Sequence, residues 1–177
     1  TDFVKKLRGA FAMAILDQSQ KTLYLFRDAL GLRPLFYSQK SQTLVFASEI
    51  KALFQYPGIE PALDLEGLTE LLSLGPARKP GSAIFSGISE VKPGHFITFG
   101  RDIFLEEAYH RFEVKDHTDS YEDTLDNITY LLNQSISTLK PTVMPACSFL
   151  SGGLDSSIIT AKLAEDSAKV LATYTNG

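Results

Sequence analysis

"FLSGGLDSSII", residues 149–159, passes from apolar residues into a Ser/Gly/Asp cluster and back into apolar residues. Such punctuation reads as a strand, a tight loop and a helix start. Before it, "ACSFL" (146–150) is a continuous apolar run, as a buried parallel strand needs. After it, "SIITAKLAEDSA" (157–168) reads as the helix and "VLATYT" (170–175) as the next strand. Strand, loop, helix, strand is a βαβ unit. Open parallel sheets bind ligands beyond the C-terminal ends of their strands, which is where "SGGLDSS" lies.

The residue types in that loop suit an anion. Gly152 and Gly153 allow close backbone approach and turn N–H groups outward. The helix start adds partial positive charge. Ser151, Ser156 and Ser157 add hydroxyls, and Asp155 would repel a bare phosphate, so it implies a bridging Mg²⁺. The loop lacks the lysine of the G-x-x-x-x-G-K-[ST] motif, and G-x-G-x-x-G is absent. The plainer reading is a Gly/Ser turn that only caps a helix; the full seven residues between strand and helix favour the anion site.

Working toward the N-terminus, "YEDTLDNITYLLNQSISTL" (121–139) is a helix. Ser120 and Asp123 resemble a capping box, and Leu125, Ile128, Leu132, Ile136 and Leu139 keep helical spacing, which predicts one buried face. "FEVKDHTDS" (112–120) is polar and charged and reads as a connection. The expected division is a first unit over 1–112, a linker over 113–119 and a second unit over 120–177.

The first unit reads as β-rich. "GAFAMAILD" (9–17) and "KTLYLFRDA" (21–29) form a hairpin around "QSQ", and "RPLFYSQ" and "TLVFAS" form a second around "KSQ". "ALGLRP" between them is a turn, with Gly31 suited to positive φ and Arg27 and Asp28 able to pair within it. "SEIKALFQ" reads as a short helix capped by Ser48, burying Ile50, Leu53 and Phe54, with Glu49 and Lys51 on its solvated side. "DLEGLTELLSLG" reads as a helix from Asp64 to Gly75, with Leu65, Leu68, Leu71 and Leu72 along one side. Short strands are expected at "AIF" and "HFITF".

Composition bounds the function. The 177 residues carry 44% apolar and 21% charged side chains, an ordinary globular mixture. A formal net charge of −4 offers no basic footprint for nucleic acid. No apolar run is long enough for a bilayer and no leader pattern opens the chain, so no membrane partner is expected. One cysteine, Cys147, forms no internal disulfide, and a cytoplasmic setting is expected. Cys147, on a buried strand, reads as a packing residue. His95, His110 and His117 lack metal-ligand spacing. Both ends enter or leave strand-like segments abruptly, so an interior piece of a longer protein is expected.

SGGLDSS resembles the pyrophosphate loop of the N-type ATP pyrophosphatases. "LRGAFAMAILD", "RDALGLRPLFY", "FASEIKAL" and "IFSGISEVKPGHF" resemble the glutamine-hydrolysing asparagine synthetases, in the same order over nearly the whole chain. The resemblance implies a mixed α/β and α+β chain. Part of a class II, N-terminal-nucleophile glutaminase α/β/β/α sandwich would precede the start of a parallel α/β ATP pyrophosphatase domain of the adenine-nucleotide α-hydrolase type. It implies ATP and Mg²⁺ as cofactors, with ATP, aspartate and glutamine as small-molecule partners. The reaction would adenylate aspartate and amidate it with glutamine-derived ammonia carried through a tunnel, releasing AMP and pyrophosphate.

Residue by residue, the resemblance places Ser151, Gly152, Gly153, Asp155 and Ser156 on the pyrophosphate and Leu150 beside the nucleotide; Asn176, after the next strand, would lie near the adenine. Asp155 is the candidate Mg²⁺ contact, through pyrophosphate. The family's glutaminase nucleophile is a cysteine that would lie upstream of Thr1. Thr1 itself precedes helix-like rather than strand-like sequence and is not expected to be catalytic. The chain alone is therefore expected to be inactive. A β-lactam-synthetase-like or lasso-cyclase-like ligase, or a non-catalytic relic, are the alternatives, and a homodimer is among the assemblies left open.

Overall fold

The computed structural model describes residues 2–75, 79–140, 147–165 and 172–175. Two compact units divide the chain, 1–113 and 114–177.

In the first unit, β1 (Ala12–Asp17) and β2 (Thr22–Arg27) form the expected hairpin, with Ala12 opposite Arg27 and Asp17 opposite Thr22. Asp17 organises its turn by accepting from the Ser19 and Gln20 N–H groups at 2.9 and 3.0 Å. β3 (Phe36–Lys40) and β4 (Thr43–Ala47) form the second hairpin. α1 (Ile50–Leu53) and α2 (Leu65–Leu74) follow, then β5 (Ser89–Glu90), β6 (His95–Gly100) and β7 (Ile103–Ala108). The strands make two antiparallel sheets, ordered β1-β2-β6-β7 and β4-β3-β5.

Side-chain alternation along β2 explains the layering. Leu23 and Leu25 face one way and pack with Ile97 and Phe99 of β6 and with Leu35, Tyr37, Leu44 and Val91 of the second sheet's segments. Tyr24 and Phe26 face the other way, where Phe96 and Val4 of the short 3₁₀ helix Asp2–Lys6 cover them. The second sheet's far face holds Phe36, Leu53, Ile59, Ala83 and Ile88, with Ile50 and Phe54 of α1 packed against them.

Several local expectations change. α1 is capped at Glu49, extended at φ −128°, with no side-chain capping bond, so Ser48 is not its cap. Asp64 does cap α2, accepting from the Gly67 N–H at 2.9 Å. Yet α2 buries Gly67 and Glu70, while Leu65 and Leu72 stand exposed. The cause is a close approach: Gly67 lies against the backbone of Ala83 and Ile84, and Glu70 accepts from the Lys79 N–H and, at 2.8 Å, the Ser82 hydroxyl. "AIF" forms a single bridge, Leu63 to Phe85, and the short strand there is Ser89–Glu90, paired with Phe36 and Tyr37. β7, whose Glu106 and Glu107 break the apolar pattern, has no counterpart in the sequence reading.

The second unit holds α3 (Tyr121–Leu139), β8 (Cys147–Phe149), α4 (Leu154–Glu165) and β9 (Ala172–Tyr174). Ser120 caps α3 through the Asp123 N–H at 3.1 Å and donates to the Asp123 carboxylate at 2.7 Å. The apolar face of α3 is not buried: Leu125, Ile128 and Leu139 are exposed, and Leu132 and Ile136 are half-buried. No described helix is long and apolar enough to cross a membrane.

Candidate anion site after a parallel strand

β8 and β9 pair in parallel, Cys147 with Ala172 and Phe149 with Tyr174, and the Leu150 N–H extends the ladder to the Tyr174 carbonyl at 2.8 Å. Ladder and chain part beyond Leu150. The strand's C-terminal edge thus opens directly into residues 151–153, and α4 starts at Leu154.

Gly152 sits at φ +84°, a conformation that costs an L side chain about 1–2 kcal/mol, with open space where a Cβ would be. This reversal turns the chain from strand to helix in three residues. The opening N–H groups of an α-helix have no intrahelical acceptor, and Leu154 and Asp155, like the loop before them, are exposed. The N–H groups of Gly152 and Gly153 show no partner among the described residues. Two amide donors with no described partner therefore lie in an exposed loop.

The loop's hydroxyls bond one another. Ser156 Oγ accepts from the Ser151 N–H at 3.3 Å, lies 3.1 Å from Ser151 Oγ, and donates to the Gly153 carbonyl at 3.1 Å. Ser157 Oγ donates to the same carbonyl at 2.8 Å. An entering oxyanion would compete with these contacts, which a rotation about one side-chain bond releases. Asp155 stands exposed in the first turn of α4. Among the described residues no group of three or more His, Cys, Asp or Glu side chains could hold a metal alone.

Leu150, Ser151, Gly152, Gly153, Asp155, Ser156 and Ser157 occupy one continuous strand-to-helix turn. Asn176 and Thr1 lie outside the described residues. Cys147 is a free, exposed thiol rather than a buried one, because the odd positions of β8 face outward: Phe149 is exposed with it, while Ser148 is buried. The sequence reading missed Ser148 and Thr160, whose hydroxyls lie 2.6 Å apart beneath the loop. The signal available was a hydroxyl at the middle position of an apolar strand.

In the first unit, Arg27 and Asp28 do not form the expected pair within their turn. Arg27 binds Glu90 at 2.9 Å and donates to the carbonyls of Arg33, Val91 and Gly31. Asp28 accepts backbone N–H groups from Phe11, Leu30, Leu32 and Arg33. Both are structural anchors of the turn that contains Gly31 at φ +67°. Glu49 and Lys51 pair on the solvated surface at 2.6 Å. His95 is satisfied by the Pro93 carbonyl at 2.7 Å.

A glutamine amidotransferase domain family matches residues 1–110, and an asparagine synthase family matches residues 127–177. Asparagine synthetase [glutamine-hydrolyzing] 3 of Bacillus subtilis is 42% identical over 160 residues, 90% of this chain and 26% of that protein. Asparagine synthetase [glutamine-hydrolyzing] 2 of the same organism is 29% identical over 92% of this chain and 23% of its own length. Amidase chry2 of Gibberella zeae is 30% identical over 89% and 23%. The chain spans about a quarter of the length of these curated relatives.

Proposed function

This chain belongs to the glutamine-hydrolysing asparagine synthetase family, and from that premise we propose that the turn at 150–157 holds the pyrophosphate portion of ATP while a carboxylate, that of aspartate, is adenylated. The observation that carries the reading is the exposed donor set after β8: Gly152 at positive φ, the Gly152 and Gly153 amides with no partner among the described residues, and the start of α4 beside them.

The chemistry follows from where charge develops. When the carboxylate oxygen attacks the α-phosphorus, the P–O bond to the β-phosphate breaks and negative charge grows on the departing pyrophosphate. Fixed N–H donors stabilise charge best where it appears, because they need no reorganisation at that moment. The dipole of α4 adds to them. Ser151 and Ser156 exchange their mutual bond for bonds to phosphate oxygens. Asp155 would hold Mg²⁺ through the pyrophosphate, and the ion would neutralise the leaving group's charge. Ammonia released from glutamine by a class II glutaminase sandwich, to which residues 1–110 contribute, then displaces AMP from the aspartyl adenylate and leaves asparagine.

The test is stoichiometric. The protein carrying this chain in full, given ATP, Mg²⁺, aspartate and glutamine, is expected to release one pyrophosphate and one glutamate per asparagine formed. Glutamate release with no aspartate-dependent pyrophosphate would reject the ligase reading.

A further inference from the structure

Ser148 is the buried residue of β8, 7% exposed, on a strand whose neighbouring side chains face outward. A hydroxyl in that position gains less from burial than Ala or Val would, and it costs free energy unless it is bonded. Its oxygen lies 2.6 Å from Thr160 Oγ1. Thr160 Oγ1 in turn donates to the Ser156 carbonyl at 2.7 Å. A hydroxyl has one proton. Thr160 spends its proton on Ser156, so Ser148 is the donor to Thr160. The polarity of the relay is thereby fixed: strand, then second turn of α4, then first turn.

The relay ends on the residue that closes the loop. Ser156 is the side chain that reaches the Ser151 N–H, Ser151 Oγ and the Gly153 carbonyl. Apolar packing would hold α4 against β8 without fixing its rotation or axial position. The Ser148–Thr160 bond is the directional tie between strand and helix, and the Thr160–Ser156 bond, within α4, carries it to the first turn and so to the loop amides. We propose that Ser148 and Thr160 are positioning residues for the anion site, setting the first turn of α4 so that the amides of residues 152–156 converge on pyrophosphate. This rests on the pyrophosphate reading above and adds two residues that touch no ligand.

The variants are Ser148→Ala, Thr160→Val, which replaces the hydroxyl by a methyl of the same shape, and Thr160→Ser, which keeps it. Inorganic pyrophosphate affinity is read by calorimetry on the protein carrying the chain in full, and amide hydrogen exchange is read across the loop. Thr160→Val and Ser148→Ala are each expected to weaken pyrophosphate about fivefold, the worth of one neutral hydrogen bond. The double variant should lose little more than either single, since both cut one relay. Thr160→Ser should bind as the parent does, and the KM for ATP should rise with the weakened variants while that for aspartate stays. Exchange should quicken at residues 152–156 in Thr160→Val. Parental affinity in Thr160→Val, or loss in Thr160→Ser equal to that in Thr160→Val, would overturn the relay. A parent that binds no pyrophosphate would sink the site reading itself; the relay is then judged by exchange alone, and unchanged exchange at 152–156 would overturn it. Ser148→Ala carries the same comparison if Thr160→Val does not fold.

Discussion

Arg27 and Glu90 face each other at 2.9 Å, Nη2 to Oε1, with both side chains nearly fully buried. The same guanidinium donates to three carbonyls, those of Gly31, Arg33 and Val91, at 2.7–2.9 Å. It therefore joins the end of β2, the turn after it and the segment that leads into β6. Planar geometry with several fixed donors is what this position needs, and an ammonium cannot supply it. Arg27→Met removes the ion pair with Glu90 and the donors to three carbonyls, and is expected to cost about 3–5 kcal/mol. Arg27→Lys should recover only part of that. Urea unfolding of the two variants measures both values, and a parental midpoint for Arg27→Lys would contradict the fork geometry.

Asp28 gives a prediction with a sign in pH. Burial pushes its carboxyl up, but backbone N–H groups of Arg33, Leu32, Phe11 and Leu30 together outweigh burial and hold it below the ordinary value of 3.8. A depressed carboxyl stabilises the fold above the unfolded value and loses that contribution as pH falls through the lower folded one. Asp28→Asn should cost about 1–3 kcal/mol at neutral pH. The gap between parent and variant should close below pH 3.8. A gap independent of pH would show that the charge is not what matters.

Gly67 inverts the usual rule for helix glycines. Replacing an exposed mid-helix Gly by Ala commonly gains about 1 kcal/mol. Here a Cβ would sit 2.7 Å from the Ala83 carbonyl oxygen and 2.8 Å from Ile84 Cα, both backbone atoms that cannot swing aside. Gly67→Ala is expected to destabilise, lowering the thermal midpoint and loosening the Glu70–Ser82 contact. A raised midpoint would mean that α2 does not dock so closely.

Tyr109 reports on the alkaline side. Burial, helped by the charge of Asp28, pushes its hydroxyl up to about 12, and the hydroxyl donates to the Arg27 carbonyl at 2.6 Å. The unfolded chain loses this proton near 10.0 while the folded chain keeps it, so stability falls as pH rises between 10.0 and about 12. Tyr109→Phe should cost about 1 kcal/mol at neutral pH and flatten that fall by one proton. An unchanged slope would contradict the burial.

The strand-loop-helix-strand order, both early hairpins and the caps at Asp64 and Ser120 were legible because they depend on local patterns. Alternation, turn residues and a Ser-x-x-Asp spacing carry their own geometry. What was not legible depended on distant chain. The leucines of α2 promised a buried stripe, but Gly67 and Glu70 won because a loop from residues 79–84 docks there. The partners of Arg27 lie up to 64 residues away, so the neighbouring Asp28 was the natural but wrong choice. β7 was hidden by two adjacent glutamates, one of which, Glu106, binds Lys92 at 2.7 Å. At the site, glycines and hydroxyls spelled out the loop. The hydroxyl pair beneath it was hidden, since Ser148 sits inside an apolar run that reads as packing alone.

The backbone donors at 152–156 receive two linked phosphates. Amide-resolved NMR of the protein during titration with Mg²⁺ and pyrophosphate is the decisive measurement. Saturable shifts are expected, largest at the Gly152 and Gly153 amides, with Gly152→Ala weakening them. Shifts absent from those two amides, or spread evenly over exposed residues, would contradict it.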